Sequence, residues 1–333
     1  MVENDTTGRG YPRDSLLTRI KGIIQNNPVS RVAFALILIS IVFSFLSKNY
    51  FKASNFISVL TRISELGIVT VGITFLMISG EFDLSVGSVY ALSGFLFIQL
   101  ANTGMFSPFA LLITLIAAAL MGIVNGLITV HGRIPSFITT LGMMMVIRGS
   151  LLGITSGSSA YYEGDNIIPI ILSKALKYNV RPSHFWFFGI IILFSLILTK
   201  TRYGNWIFST GGNKETARLM GVKVRNVKLI NFAISSVLAG FTGCIVANRF
   251  QIIAPAFGTG IELDAIAASV IGGTLLMGGS GSIVGGALGA SLVALVRNGL
   301  VLSGAPPYWY RTFIGIILIV IAVINLRKKV INY

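Results

Sequence analysis

Long apolar runs, separated by short polar segments, dominate the chain. They fall at about 32–47, 63–80, 84–101, 108–130, 134–156, 185–199, 229–247, 261–277, 282–302 and 309–326. The runs are continuous rather than alternating in polarity, so they do not suggest β-strands. Because a helix needs about 20 apolar residues to cross a bilayer, the pattern predicts an all-α polytopic membrane protein with about ten transmembrane helices.

The composition fits a chain that is surrounded by lipid. Of the 333 residues, 54% are apolar and 11% are charged, and the mean hydropathy is +0.83. A soluble domain is roughly 45–50% apolar and about 25% charged, which argues against a soluble globular enzyme and excludes a disordered chain. The single cysteine, Cys244, excludes a disulfide framework and a cysteine-based metal site.

The basic residues predict how the helices are oriented. The chain carries 26 Lys and Arg residues against 11 Asp and Glu, and they cluster between the apolar runs. They form no patch interleaved with aromatics, so no nucleic-acid partner is expected. With both termini inside, the predicted cytoplasmic segments hold 16 Lys and Arg residues and the external ones hold 8, in agreement with the positive-inside rule. We therefore expect a multi-pass protein of the plasma membrane, with cytoplasmic tails at 1–31 and 327–333 and a transmembrane domain at 32–326.

A faint internal repeat predicts two inverted halves. Segment 81–89 reads E-x-D-x4-S-V and segment 262–270 has the same spacing, while Asn125 and Asn298 each precede Gly-Leu. Five predicted spans separate the copies, so the halves would have opposite orientations. Inverted repeats are typical of transport proteins whose pathway lies at the repeat interface. Chance similarity between glycine-rich apolar segments is the alternative.

Three glycine pairs spaced as GxxxG predict close helix packing. Such pairs let membrane helices approach closely because they lack side chains. The alternative is a sliding surface in a moving pathway. The pairs are Gly122/Gly126, Gly149/Gly153 and Gly285/Gly289.

The longest and most basic predicted internal segment is 200–228. Within it, Asn213 can cap a helix start, Glu215 is favourable in the first turn, and Gly221 is a plausible stop. This spacing predicts a short polar helix of about two turns. Such a helix could dock into the groove of a partner protein or merely connect two spans, and the spacing alone leaves both open.

Motifs for catalysis are missing from the sequence. Gly-Lys never occurs, so there is no Walker A phosphate loop, and neither HExxH nor GxSxG is present. The glycine-rich stretch 278–281 lacks a lysine and reads as a tight turn. We therefore expect no catalytic residue, metal or cofactor in this chain, and no ATP hydrolysis by it.

Several ordered motifs resemble one family. Segment 79–88, SGEFDLSVGS, is similar to the G-G-x-D-L-S-V-G-S signature of the membrane-spanning permease subunits of ribose/galactose/xylose-type ABC sugar importers, in the branched binding-protein-dependent permease superfamily. Segment 201–221 is similar to that family's T-x-x-G…G-G-N…A…G stretch. Further matches lie at 258–268, 272–274, 278–285 and 298–300. The resemblance covers roughly residues 55–326.

The resemblance implies import of a monosaccharide or similar small polar solute by alternating access. Two permease subunits, identical or different, would form the pathway in the lipid membrane, and an extracytoplasmic sugar-binding protein would deliver the solute. ATP and Mg²⁺ would bind to separate ABC ATPase subunits. It also implies that the loop 200–228 holds the coupling helix that the ATPase grips. The residues implied in coupling are Gly204, Gly211, Gly212, Asn213, Glu215, Ala217, Arg218 and Gly221.

Polar residues within the spans are the candidate pathway residues. Asp83, Ser85 and Ser88 lie where one span ends and another begins with almost no linker. A broken helix there would aim N–H groups and hydroxyls into a cavity, although Asp83 or Ser85 could also simply cap the following helix. Asn125 and Asn298 are candidates for weak hydrogen bonds to a sugar.

Charged residues within the spans are candidates for gating or ion pairing. Charges inside a membrane are costly, so Arg148 and Arg297 should have partners or face water. Glu262 and Asp264 could cap a helix, meet the binding protein or pair with Arg297. The family commonly has glycine where Glu81 stands, and we expect an uncharged residue at 297, so the two departures leave a ribose assignment open.

Two other function classes compete with the importer interpretation. An ion-driven secondary transporter needs carboxylates deep in the membrane, whereas the acidic residues here cluster at span ends. An intramembrane enzyme needs paired acids, a nucleophile or a metal cluster, and no such set has convincing spacing.

Overall fold

The computed structural model describes residues 28–306, 309–317 and 319. The helices are α1 Pro28–Leu46, α2 Ala53–Ile78, α3 Val86–Asn102, α4 Ser107–Gly132, α5 Ser136–Thr155, α6 Ile167–Leu172, α7 Pro182–Lys200, α8 Arg202–Gly212, α9 Lys214–Leu219, α10 Val224–Phe250, α11 Ile261–Ile271 and α12 Ile283–Leu302. Residues 309–317 are helical as well. Most of the predicted N-terminal tail, the end of the last predicted span and the C-terminal tail lie outside the described residues.

Seven helices in the described part are long and apolar enough to cross a membrane: α1, α2, α4, α5, α7, α10 and α12. The 17-residue α3 is apolar but shorter. The chain is therefore an all-α polytopic membrane protein, as the apolar runs predict. The count of ten spans and the two inverted halves stay predictions.

Two predicted boundaries are wrong. The helix α2 begins at Ala53, so the segment predicted as an external loop up to residue 62 is mostly helical and Arg62 lies inside α2. The span predicted at 261–277 ends as a helix at Ile271. Gly273 follows with φ 93°, a left-handed conformation that glycine adopts readily and that ends the helix.

The bundle is built around α10, which packs against α2, α3 and α4, while α12 packs against α1, α2 and α11. Two of the three glycine pairs mediate this packing. A Cβ placed on Gly122 of α4 would collide with the Phe232 carbonyl of α10, and one on Gly289 of α12 would collide with the Ala268 carbonyl of α11. A Cβ on Gly149 or Gly153 of α5 would meet nothing within 4 Å, so close packing of that pair is wrong within the described part of this subunit.

One end of the bundle carries two short strands, β1 Ala160–Tyr161 and β2 Ile252–Ile253, which pair antiparallel. They join the segment after α5 to the end of α10. The continuous apolar runs predict no strands. These two strands escape that prediction because a strand of two residues is too short to show an alternating pattern. We call this the strand end of the bundle, and the opposite end, which carries α8 and α9, the α9 end.

Candidate functional site

The backbone between α2 and α3 forms a helix break at residues 79–85, most of which are buried. Two hydroxyls of α5 satisfy its backbone, because the Phe82 N–H donates to Ser136 Oγ and the Leu84 N–H donates to Thr140 Oγ1, both at 3.1 Å. Irregular backbone at membrane depth is tolerated where protein groups satisfy it in this way. Side chains of α5 therefore stabilise the irregular backbone of the break.

Asp83, Ser85 and Asn125 meet in a fully buried cluster at this break. Asp83 Oδ1 accepts hydrogen bonds from the Ser85 N–H at 2.8 Å and the Ser85 hydroxyl at 2.6 Å, and Asn125 Nδ2 donates to Ser85 Oγ at 2.8 Å. Within the described residues, no group meets hydrogen-bond geometry at Asp83 Oδ2. Capping of α3 by the Ser85 side chain is wrong, because Ser85 occupies the N-cap position without a side-chain cap hydrogen bond, whereas Asp83 does bind the N–H of this N-cap residue.

The other two predicted pathway residues lie outside this cluster. The Ser88 hydroxyl donates to the Met144 carbonyl of α5 at 2.9 Å. Asn298 Nδ2 on α12 donates to Asn55 Oδ1 at 3.0 Å, in the first turn of α2 and thus at its far end from the break. The structure therefore brings together three of the five candidates.

Arg148 of α5 ties α3 to the stretch before α11. Its guanidinium donates to the Gly87 carbonyl at 3.0 Å, to the Phe257 carbonyl at 2.9 Å and to the Pro255 carbonyl. Among the described residues it forms no ion pair. Three backbone carbonyls thus surround this charge in place of a carboxylate.

The start of α11 lies directly against the start of α3. A Cβ on Gly87 would collide with Glu262 Oε2 and lie 2.6 Å from the Gly258 carbonyl oxygen. The other oxygen of the buried Glu262 accepts a hydrogen bond from the Gly260 N–H, just before the helix, at 3.1 Å. Asp264 lies in the same first turn and forms no ion pair with Arg297 within the described chain.

A cavity of about 370 Å³ opens between α2, α3, α10, α11 and α12. We call it the arginine cavity, because its charged lining residues are Arg62, Glu65, Arg249, Asp264 and Arg297. Arg249 and Glu65 form an ion pair with Nε–Oε1 at 2.8 Å and Nη2–Oε2 at 3.1 Å. Sequence reasoning missed Arg62, Glu65 and Arg249 as site residues. The available signal was Glu65, an acidic residue inside an otherwise apolar run.

At the α9 end, the predicted short helix is present as α9. Asn213 Oδ1 accepts hydrogen bonds from the N–H groups of Glu215 and Thr216, both at 3.1 Å, and Gly221 has a φ of 81° just past the helix end. The 11-residue α8 before it was not predicted. Leu219, the last residue of α9, and Met220, which follows it, are 88% and 80% exposed.

The remaining predicted coupling residues differ in their exposure. Ala217 is buried, whereas Glu215 and Arg218 are exposed and form an ion pair at 2.9 Å. Gly204 packs near the start of α8, where a Cβ would collide with the Leu198 carbonyl. Buried residues therefore anchor α8 and α9 to the bundle, while the charged face of α9 is open.

Three segments meet backbone to backbone where α8 joins the bundle. A Cβ on Gly211 would collide with the Ile78 carbonyl, which also accepts a hydrogen bond from the Gly279 N–H at 2.8 Å. A Cβ on Gly278 would lie 2.7 Å from Gly80 Cα, and one on Gly279 would lie 2.7 Å from Gly212 Cα. We call the contact of Gly80, Gly211, Gly212, Gly278 and Gly279 the glycine junction. It places α8 against both the 79–85 break and the glycine-rich turn after α11.

A larger cavity of about 820 Å³ lies beside α9. Its basic lining residues are Arg133, Lys214, Arg218, Lys223, Arg225 and Lys228, and its single acidic one is Glu81. Lys228 forms an ion pair with Glu81. Glu81, which stands where the family commonly has glycine, is therefore neutralised by a lysine of α10.

Comparison with known proteins identifies one family of permease components and relatives that are import permeases. A family model described as "Branched-chain amino acid transport system / permease component" matches residues 55–322. The ribose import permease protein RbsC of Escherichia coli (strain K12) is 34% identical over 334 residues, covering 99% of this chain and 100% of the relative. The autoinducer 2 import system permease protein LsrC of Photorhabdus luminescens is 30% identical over 307 residues, which is 92% of each chain. No solved structure matches the chain.

Proposed function

This chain belongs to the family described as the permease component of a branched-chain amino acid transport system, and on that premise we propose that it is the membrane-spanning subunit of an ABC importer for a monosaccharide or similar small polar solute. Its relatives are named as import permeases for ribose and for autoinducer 2. The observation that carries the proposal is the glycine junction. Through it, α8 contacts both the 79–85 break and the glycine-rich turn after α11.

The partners follow from this assignment. Separate ATPase subunits would bind ATP and Mg²⁺ and would grip α9, whose tip offers the exposed Leu219 and Met220. A second permease subunit would complete the pathway in the lipid bilayer, and an extracytoplasmic binding protein would deliver the solute. The α9 end would face the cytoplasm together with both termini, because segment 200–228 is the most basic one between spans.

The mechanism would be alternating access driven from the α9 end. When the ATPase subunits close on ATP, they would push on α9 and α8. Because Gly211 packs against the end of α2 without intervening side chains, a shift of α8 must displace either the 79–85 break or the turn at 278–281. Movement of these two stretches would change which side of the membrane reaches the pathway.

The test is to purify the tagged chain gently from its native membrane and identify the proteins that co-purify. We expect a Walker-motif ATPase that is lost in a Leu219→Glu/Met220→Glu double variant, because the two exposed side chains can change without disturbing the fold. Leu176→Glu, an exposed apolar-to-acidic change in the segment before α7, is the matched control. Recovery of the chain alone, with uptake that collapses under an ionophore while ATP persists, would contradict the proposal.

A further inference from the structure

The arginine cavity holds more positive than negative charge. Its lining includes three arginines and two carboxylates, a net charge of +1. Arg249 and Glu65 neutralise each other through their two-point contact. Arg249 also lies over the Phe250 ring at 4.0 Å. This pair is therefore complete without any ligand.

Arg62 and Arg297 have no such partner. Neither forms an ion pair or a hydrogen bond within the described part of the chain, and Arg297 has only the face of the Tyr310 ring, 5.1 Å away. Both arginines line the same cavity. Asp264 forms no ion pair with either arginine within the described residues. Two cations thus converge on one cavity with a single carboxylate left to balance them.

Both arginines lie within helices that are long and apolar enough to cross a membrane, not at the helix ends. Arg62 is the tenth residue of α2, about 13 Å along its axis, and Arg297 precedes the end of α12 by about 8 Å. Both side chains are exposed in the isolated subunit. An arginine at such a depth avoids lipid by facing water, a ligand or an opposite charge.

Guanidinium chemistry then defines the ligand. A guanidinium donates two parallel hydrogen bonds to a carboxylate or phosphate, which no neutral hydroxyl can match in charge or geometry. We propose that the arginine cavity binds a small hydroxylated solute that carries a carboxylate or phosphate group, held between Arg62 and Arg297. Asp264 accepts hydrogen bonds from the solute's hydroxyls. The cavity volume lies within the range of small-molecule sites.

This inference rests on the proposed transport function, since it names the class of solute carried. It also fits the departure at position 297, where a neutral-sugar permease has no need of a second cation. The competing occupant of the cavity is an acidic residue of a second permease subunit, and the experiment separates the two.

The complex that contains the tagged chain is placed in lipid nanodiscs, and ligand binding is followed by saturation-transfer NMR. D-glucuronate and 6-phosphogluconate are the anionic probes, and D-glucose and D-ribose are the neutral probes. We expect the anionic probes to bind and to weaken about tenfold or more in Arg62→Gln and Arg297→Gln, because each change removes a charged hydrogen-bond donor. Arg297→Lys should retain part of the affinity, and Lys174→Gln, an exposed change outside the cavity lining, should retain all of it.

Two results would overturn the inference. One is tighter binding of the neutral probes with no effect of either glutamine variant. The other is dissociation of the permease dimer in Arg62→Gln or Arg297→Gln, which would assign the arginines to the subunit interface. The importer assignment is read separately from the co-purified ATPase. An ATPase present without binding of the anionic probes would refute only the inference about the solute.

Discussion

Gly211 of α8 packs against the carbonyl of Ile78, the last residue of α2, so closely that no side chain fits between them. A contact between main-chain atoms cannot yield by changing a rotamer. A displacement of α8 therefore moves either the end of α2, with the 79–85 break, or the turn at 278–281. This contact links the helices next to the proposed ATPase contact to a transmembrane helix that is distant from them in sequence.

Gly211→Ala should uncouple this link. The added methyl group overlaps the Ile78 carbonyl, so α8 must shift away from α2, and we expect solute uptake to fall roughly tenfold or more while the protein still inserts. Uptake by cells and ATPase activity of the purified complex are the measurements. Gly142→Ala is the matched control, because a Cβ on this glycine of α5 meets nothing within 4 Å. Equal uptake by the two variants would count against the junction as a coupling contact.

Arg148→Gln should destabilise the bundle. The change removes charged hydrogen bonds to the carbonyls of Gly87, Pro255 and Phe257, and we expect a loss of roughly 2–4 kcal/mol in the free energy of unfolding. Thermal unfolding in detergent measures it as a lower Tm. Arg202→Gln, an exposed arginine at the start of α8, is the control and should leave Tm unchanged. A Tm equal to that of the wild type would show that the three carbonyls do not depend on Arg148.

At Asp83, replacement by Asn and replacement by Ala should differ. In the described part of the chain, Oδ1 accepts two hydrogen bonds from Ser85, while no group meets hydrogen-bond geometry at Oδ2. Asn retains the accepting oxygen, whereas Ala leaves the buried N–H and hydroxyl of Ser85 without their acceptor, at a cost of about 1–3 kcal/mol. We therefore expect Asp83→Asn to unfold near the wild-type temperature and Asp83→Ala well below it. Equal Tm values for the two variants would mean that the second oxygen matters as much as the first.

The segment at 157–172 should loosen in acid. The Ser107 hydroxyl holds the pKa of Asp165 below its usual range, aided by the N–H groups of Ser107 and Ile167. Since the folded pKa is the lower one, this stabilisation is complete above the unfolded value near pH 4 and is lost as the pH falls through the folded value. Proteolysis or hydrogen exchange of this segment between pH 7 and 3 measures the change.

Asp165→Asn should abolish this acid-dependent step and leave the segment loose throughout the pH range. Glu163→Gln removes an exposed neighbouring carboxylate that accepts none of these bonds and should retain the step. A segment that loosens equally in both variants would assign the acid sensitivity to another group.

The sequence predicts α9 because its signals are local. Asn213 and Gly221 act within a few residues of the helix they bound, so their spacing is readable in the chain itself. The start of α2 is not readable in this way. Arg62 and Glu65 interrupt an apolar run, and the ion-pair partner of Glu65 is Arg249, which lies 184 residues further along.

The glycine junction and the arginine cavity escape sequence reasoning for the same reason. Hydropathy reports whether a residue prefers lipid, not which backbone it touches, so the turn at 278–281 gave no indication that it packs on Gly80 and Gly212. The lining of the cavity comes from five helices that are distant in sequence. Only the fold brings Arg62 and Arg297 to the same space.

The glycine junction consists of main-chain atoms, and it lies at the opposite end of α2 from Arg62. Substitutions in the cavity lining therefore replace none of its five glycines. In evolutionary terms the chain is modular within one bundle. At Gly211, Gly278 and Gly279 the junction is closed to any residue larger than glycine, whereas the arginine cavity is lined by side chains that single substitutions can exchange.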